Sequence, residues 1–166
     1  MDTLNRPDWT EYFLSFAILA ASRSPDQRTK CGCVFVKDKK IIAIGYNGFP
    51  AGVEDEKLPN YGPDKYWAMI HAEMNAIYNA TTLLKDSVAY ISGPPCSECM
   101  KAMWQCGMRQ IHYCDWSKPN MEYDKENREK VVALFNHIYT FNADSYCSRM
   151  EITKHDVPTV VIEQRK

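Results

Sequence analysis

The stretch GPPCSECM, residues 93–100, places two cysteines three positions apart directly behind a pair of prolines. Before it, SVAYIS (87–92) has the β-branched and aromatic make-up of a strand. After it, Ser97 to Cys106 reads as a short helix stopped by Gly107, followed by the strand-like RQIHYC (109–114). This alternation of β and α elements implies a sheet with helices on its faces, hence an α/β fold.

Outward from that stretch the pattern continues. Trp9, Tyr12, Phe13, Phe16, Ala17 and Ala20 recur at helical intervals, predicting a helix over 9–22 with Asp8 as its cap and Glu11 three residues on. CGCVFVKD (31–38) and IIAIGY (41–46), joined by the polar KDKK, predict a hairpin whose apolar strands are buried on both faces. Residues 47–64, NGFPAGVEDEKLPNYGPD, carry three prolines and three glycines without periodicity; a connection of this length suggests a functional segment such as a lid. A helix is expected over about 65–84, another over about 123–136, and a strand in HIYTF (137–141). The tail after Asn142 is harder to place, TVVIE (159–163) being a candidate edge strand. Without internal repeat or linker, residues 1–166 read as a single domain.

The totals narrow the function. The chain is 45% hydrophobic and 25% charged, ordinary for a folded globular protein. A net charge of −1 and the lack of a Lys/Arg-rich run disfavour polymeric nucleic acid but leave room for a small phosphorylated molecule. Phe13 to Ala21, the longest apolar stretch, is about half of what crosses a bilayer, so no membrane partner is expected. Seven cysteines, an odd number, and no secretory-type N-terminus fit a reducing cytoplasm.

A solitary C-x-x-C is half of a metal site, a redox dithiol, or coincidence. No second C-x-x-C exists, so other ligands must come from elsewhere, and HAE (71–73) is the best supplier. His71, Cys96 and Cys99 make a zinc set that leaves a fourth tetrahedral position for water, the arrangement of a catalytic site. Cys96 and Cys99 are expected at a helix start, where unpaired N–H groups favour thiolate. Glu73, two residues from His71, can reach the bound water as a proton carrier without being a ligand.

H-x-E followed by P-C-x-x-C is the pattern of zinc-dependent nucleobase deaminases. HAEMNAI, GYNGFPAG and GPPCSEC together resemble the deoxycytidylate deaminase family, over about Trp9 to Ser117. The resemblance implies a cytidine-deaminase-like three-layer α/β/α fold with a five-stranded mixed sheet. It implies hydrolysis of dCMP to dUMP and ammonia with one zinc ion, Glu73 moving protons from water to the ring N3 and then to the leaving amine. It further implies that Asn47 contacts the sugar, although Asn-Gly also favours turns. SRSPDQRT (22–29) resembles the family's phosphate segment, making Arg23 and Ser24 candidates, with Arg28 in reserve; a solvated loop is the alternative. Likeness alone suggests dCTP activation and dTTP inhibition near Tyr46, Gly48 and Phe49, Mg2+ accompanying a triphosphate effector, and a homohexamer.

Two departures qualify the match. Where relatives carry a tyrosine after the strand corresponding to RQIHYC, this chain has DWSK, so Trp116 is the candidate to stack on the nucleotide. Asn47 to Ile70 holds neither Cys nor His, so no second zinc is expected there. Cys31 and Cys33 are read as small packing residues on alternate faces. The competing functions are deamination of another base, nucleoside or nucleotide, such as dCTP or deoxycytidine, and a zinc-stabilised binding protein without turnover.

Overall fold

A computed structural model of the chain describes residues 6–60, 62–115, 124–135 and 137–142. Helix α1 (Trp9–Ala21) begins where Asp8 accepts a hydrogen bond from the Glu11 N–H at 2.8 Å, as its capping sequence predicts. Strands β1 (Gly32–Lys37) and β2 (Lys40–Tyr46) follow as an antiparallel hairpin. Its two turn residues, Asp38 and Lys39, both have positive φ, matching the right-handed twist of the paired strands. Then come α2 (Ala72–Asn79), β3 (Val88–Ile91), α3 (Ser97–Gln105), β4 (Gln110–Asp115), α4 (Lys125–Val132) and β5 (His137–Asn142). The sheet order is β2-β1-β3-β4-β5; β1 runs antiparallel to both neighbours, while β3, β4 and β5 are parallel.

Side-chain alternation along β1 divides the core. Val34 and Val36 point into a cluster with Phe13, Leu14, Ala17 and Ile18 of α1, whereas Cys33 and Phe35 join Ala72 and Ala76 of α2 and Met100 and Met103 of α3. The sheet therefore has helices on both faces, the expected three layers. Two glycines permit the close packing. A Cβ on Gly32 would lie 1.8 Å from the Ala17 carbonyl oxygen, and one on Gly45 would lie 2.2 Å from that of Ala72.

Three local expectations are corrected. Strand β2 pairs with β1 alone and is an edge among the described residues, and Ile44 on it is 45% exposed. Cys31 and Cys33 pack on the same cluster, since strand residues two apart share a face. Helix α2 is much shorter than 65–84. Pro63–Lys65 form a single 3-10 turn, and Ile70 pairs with Gly48 through reciprocal backbone bonds of 2.8 and 3.0 Å, holding the chain extended up to His71. At the other end Ala80 is again extended. The segment TVVIE lies outside the described residues, as does Cys147.

The long connection after β2 is tied down by a buried polar hub. The Asp26 carboxylate accepts hydrogen bonds from the Arg28 and Thr29 N–H groups, at 2.8 and 3.0 Å, and from Asn47 Nδ2 and Lys65 Nζ, at 3.3 and 2.5 Å. Asp26 and Lys65 are both only 2% exposed, so this ion pair joins the α1–β1 loop to the end of the 47–64 segment out of reach of water. Removing one partner strands a charge in the interior. Lys65→Met should lower the unfolding free energy by about 3–5 kcal/mol in denaturant melts, and adding Asp26→Asn should recover part of the loss.

His112 on β4 is buried and stacks on Tyr90 of β3, ring centroids 4.7 Å apart. Burial lowers its pKa from the ordinary 6.5 to about 4. The folded state thus holds the neutral ring while the unfolded chain protonates first. This contribution to stability is present above pH 6.5 and is lost as pH falls toward 4. His112→Phe keeps the stacking partner without the titration. Its stability should fall less steeply over that range, by a slope of up to about one proton, when melts are compared at pH 7, 6, 5 and 4.

Candidate metal centre and its surroundings

Two helix N-termini meet at one point. His71 is the N-cap of α2, held there by the neighbouring Gly48–Ile70 pairing, and Cys96 is the N-cap of α3, delivered by Pro94 and Pro95 after β3. Cys99 lies in the first turn of α3, its N–H donating to Cys96 Sγ at 3.4 Å. The result brings His71 Nδ1 to 3.4 Å from Cys96 Sγ and 3.5 Å from Cys99 Sγ, with all three donor atoms within 4.8 Å of one another.

These distances can be tested against zinc. A tetrahedral ion with Zn–S near ~2.3 Å and Zn–N near ~2.0–2.1 Å has N···S edges of about 3.5–3.6 Å. The observed edges fit, and the soft sulfur and imidazole donors suit the ion. Among the described residues the group that could hold a metal is this trio, without a fourth amino-acid donor. The Cys96 thiol is pushed well below its ordinary value, chiefly by the Cys99 side-chain hydrogen bond and then by His71. Cys99, the other member of that pair, is pushed up.

Glu73, in the first turn of α2, is 5% exposed. Burial is the main cause raising its carboxyl pKa, with Cys96 adding to the rise, while His71 and a side-chain hydrogen bond with Cys99 act in the opposite sense. A buried carboxyl with affinity for a proton therefore stands beside the sulfur of a candidate ligand. A cleft of about 320 Å³ opens on His71, Cys96 and Cys99 and is walled by Met74, Tyr78 and Asp124.

The other candidates fall into a second cluster. Asn47 is 6% exposed; its Oδ1 accepts from the Cys31 N–H at 2.8 Å, and its Nδ2 donates to the Thr29 carbonyl at 2.8 Å and to Asp26. Ser24 is buried, its hydroxyl accepting from the Asp26 N–H and its carbonyl from Lys30 Nζ. Arg23 and Arg28 are exposed on the same loop. Tyr46 gives its carbonyl to Asn75 Nδ2 of α2 at 2.7 Å, Gly48 pairs with Ile70, and Phe49 is buried. The GYNGFPAG segment is thereby bonded to the chain next to His71. Trp116 lies outside the described residues.

Asp26 and Lys65, which join Ser24 and Asn47, escaped the reading of the sequence. The only local signal was Asp in SPDQRT, a turn-forming residue, and Lys65 offered none. Asp124 and its partner Ser97 escaped it too.

The profile of the cytidine and deoxycytidylate deaminase zinc-binding region matches residues 7–115. The chain is 35% identical over 137 residues to the deoxycytidylate deaminase of Homo sapiens, covering 78% of this chain and 75% of that protein. It is 38% identical over 136 residues to that of Mus musculus, covering 77% and 74%. In fold it is similar to the crystal structure of dCMP deaminase from the cyanophage S-TIM5 in apo form. That likeness has a TM-score of 0.65 and 23% identity, over 82% of this chain and 99% of the other. With the family profile spanning well over half of its length and both mammalian relatives above 30% identity, the chain belongs to the cytidine and deoxycytidylate deaminase family.

Proposed function

We propose that the protein is a zinc-dependent hydrolase that converts dCMP to dUMP and ammonia, with His71, Cys96 and Cys99 holding the ion. The observation that carries this reading is the His71 nitrogen at zinc edge lengths from both sulfurs, with buried Glu73 beside the group. The relatives named deoxycytidylate deaminase point to the substrate. Zinc bound there supplies acidification of water, bringing its pKa from 15.7 toward roughly 7.

Glu73 does the proton work. Its carboxylate takes a proton from the attacking water as the oxygen adds to C4 of cytosine, and passes it to N3. It then takes the remaining proton of the added C4 hydroxyl and passes it to the amino nitrogen as the C4–N bond breaks and the C4 carbonyl forms, releasing ammonia. Burial suits both halves of the task, because a carboxyl raised from its ordinary value holds a proton more readily between transfers.

For binding, we assign Asn47 to the sugar, Arg23 and Ser24 to the 5′-phosphate with Arg28 in reserve, and Trp116 to stacking on the nucleotide. Asn47 and Ser24 are joined through Asp26 in one loop network, which supports a shared task. Family likeness supports dCTP and dTTP as effectors at Tyr46, Gly48 and Phe49, with Mg2+ accompanying the triphosphate, and a homohexameric assembly. Among the described residues no helix is long and apolar enough to cross a membrane. Free cysteines at six described positions support a reducing compartment, which we take to be the cytoplasm.

Ammonia release from dCMP, with dCTP and deoxycytidine as alternative substrates and with dCTP or dTTP added as effectors, tests the reading directly. Turnover of dCMP is expected, and zinc-loaded protein inert toward all three pyrimidines would overturn it. Glu73→Gln should keep one zinc per chain by metal analysis and lose about 10²–10⁴-fold in kcat. Arg23→Ala should raise KM for dCMP far more than it changes activity on deoxycytidine; equal effects would remove Arg23 from the phosphate site.

A further inference from the structure

Asp124 stands at the N-cap of α4, yet its side chain makes no capping bond to that helix. Its carboxylate is turned instead onto α3. Oδ2 accepts from the Ser97 N–H at 2.7 Å and Oδ1 from the Ser97 hydroxyl at 2.6 Å, and Asp124 is only 7% exposed. One turn along α4, Arg128 Nε donates to the Pro95 carbonyl at 2.9 Å. Pro95 and Ser97 are the two residues that flank Cys96.

The placement answers a weakness at the start of α3. Cys96 caps this helix with sulfur, a poor acceptor, at 3.4 Å from the Cys99 N–H, so the first turn has little of its own to bind its unpaired donors. A sulfur that must also bind metal is a weak anchor for the backbone carrying it. Asp124 satisfies the Ser97 N–H with one carboxylate oxygen and holds the Ser97 hydroxyl with the other, and Arg128 secures the carbonyl on the other side of the ligand. If the contacts served only to dock α4, any exposed turn of α3 would do. Both land on the three-residue peptide that presents Cys96.

We propose that Asp124 and Arg128 are positioning residues for the metal centre, holding the Pro95–Ser97 peptide so that Cys96 Sγ stays at metal-binding distance from His71 Nδ1. This rests on the reading of His71, Cys96 and Cys99 as zinc ligands. Neither residue touches the ion. Each acts through the backbone of a ligand, as outer partners of metal sites do, and loss of such partners typically weakens metal affinity about 10–100-fold.

The experiment compares zinc affinity by chelator competition on the full chain with thermal unfolding of the same zinc-free proteins. Asp124→Ala should weaken zinc binding about 10–100-fold. Asp124→Asn, which keeps an acceptor for the Ser97 N–H without the charge, should recover most of it. Arg128→Ala should weaken binding in the same direction by less, and it provides the readout should Asp124→Ala fail to fold. Zinc affinity in Asp124→Ala equal to the parent, whether or not the melting temperature falls, would overturn the proposal. So would Asp124→Asn as weak as Asp124→Ala, which would make the effect one of charge. If the parent itself binds no zinc, the failure belongs to the ligand assignment and not to the clamp.

Discussion

Three donor atoms, one imidazole nitrogen and two sulfurs, sit close enough to share a single ion although their segments are separated by 25 and 28 residues in the chain. Such convergence costs backbone entropy unless each segment is already immobilised. Here two helix starts provide that. The Gly48–Ile70 pairing delays α2 until His71, and the Pro94-Pro95 pair launches α3 at Cys96. Displacing either start by one residue would rotate its donor by about 100° around the helix and dissolve the trio.

The sheet explains why the two starts coincide. Strands β3 and β4 are parallel, and α3 leaves from the carboxyl end of β3, where open α/β sheets characteristically place their sites. Helix α2 is drawn against the edge strand by Gly45, whose lack of a side chain lets the strand approach the first turn of that helix. Glu73 is carried into the same corner because it lies in the first turn of α2 and is buried there. The carboxyl proposed to move protons is thus positioned by the same packing that positions the candidate ligand His71.

Around this centre two buried carboxylates organise the loops. Asp26 binds the α1–β1 loop to Asn47 and to Lys65, and Asp124 binds α4 to the first residue of α3. Each is satisfied by at least two donors, which is what allows a charge to remain in the interior. Both are placed where irregular chain would otherwise be held only by itself.

The sequence alone determined the elements whose cause is local. The Asp8 cap and the apolar stripe of α1, the polar turn between β1 and β2, and the proline-led entry to α3 were all legible because their signals lie within a few residues of each other. The grouping of His71, Cys96 and Cys99 was legible, and Glu73 stood out beside them, because metal and proton chemistry favours particular residue types at short spacings. Tertiary structure alone decided the true start of α2, the edge position of β2, and the partners of Asp26, Lys65 and Asp124. Lys65 is 39 residues from Asp26, and Asp124 is 27 from Ser97. A bond across such a distance depends on how the intervening chain folds, so it leaves no local pattern by which either partner can be recognised.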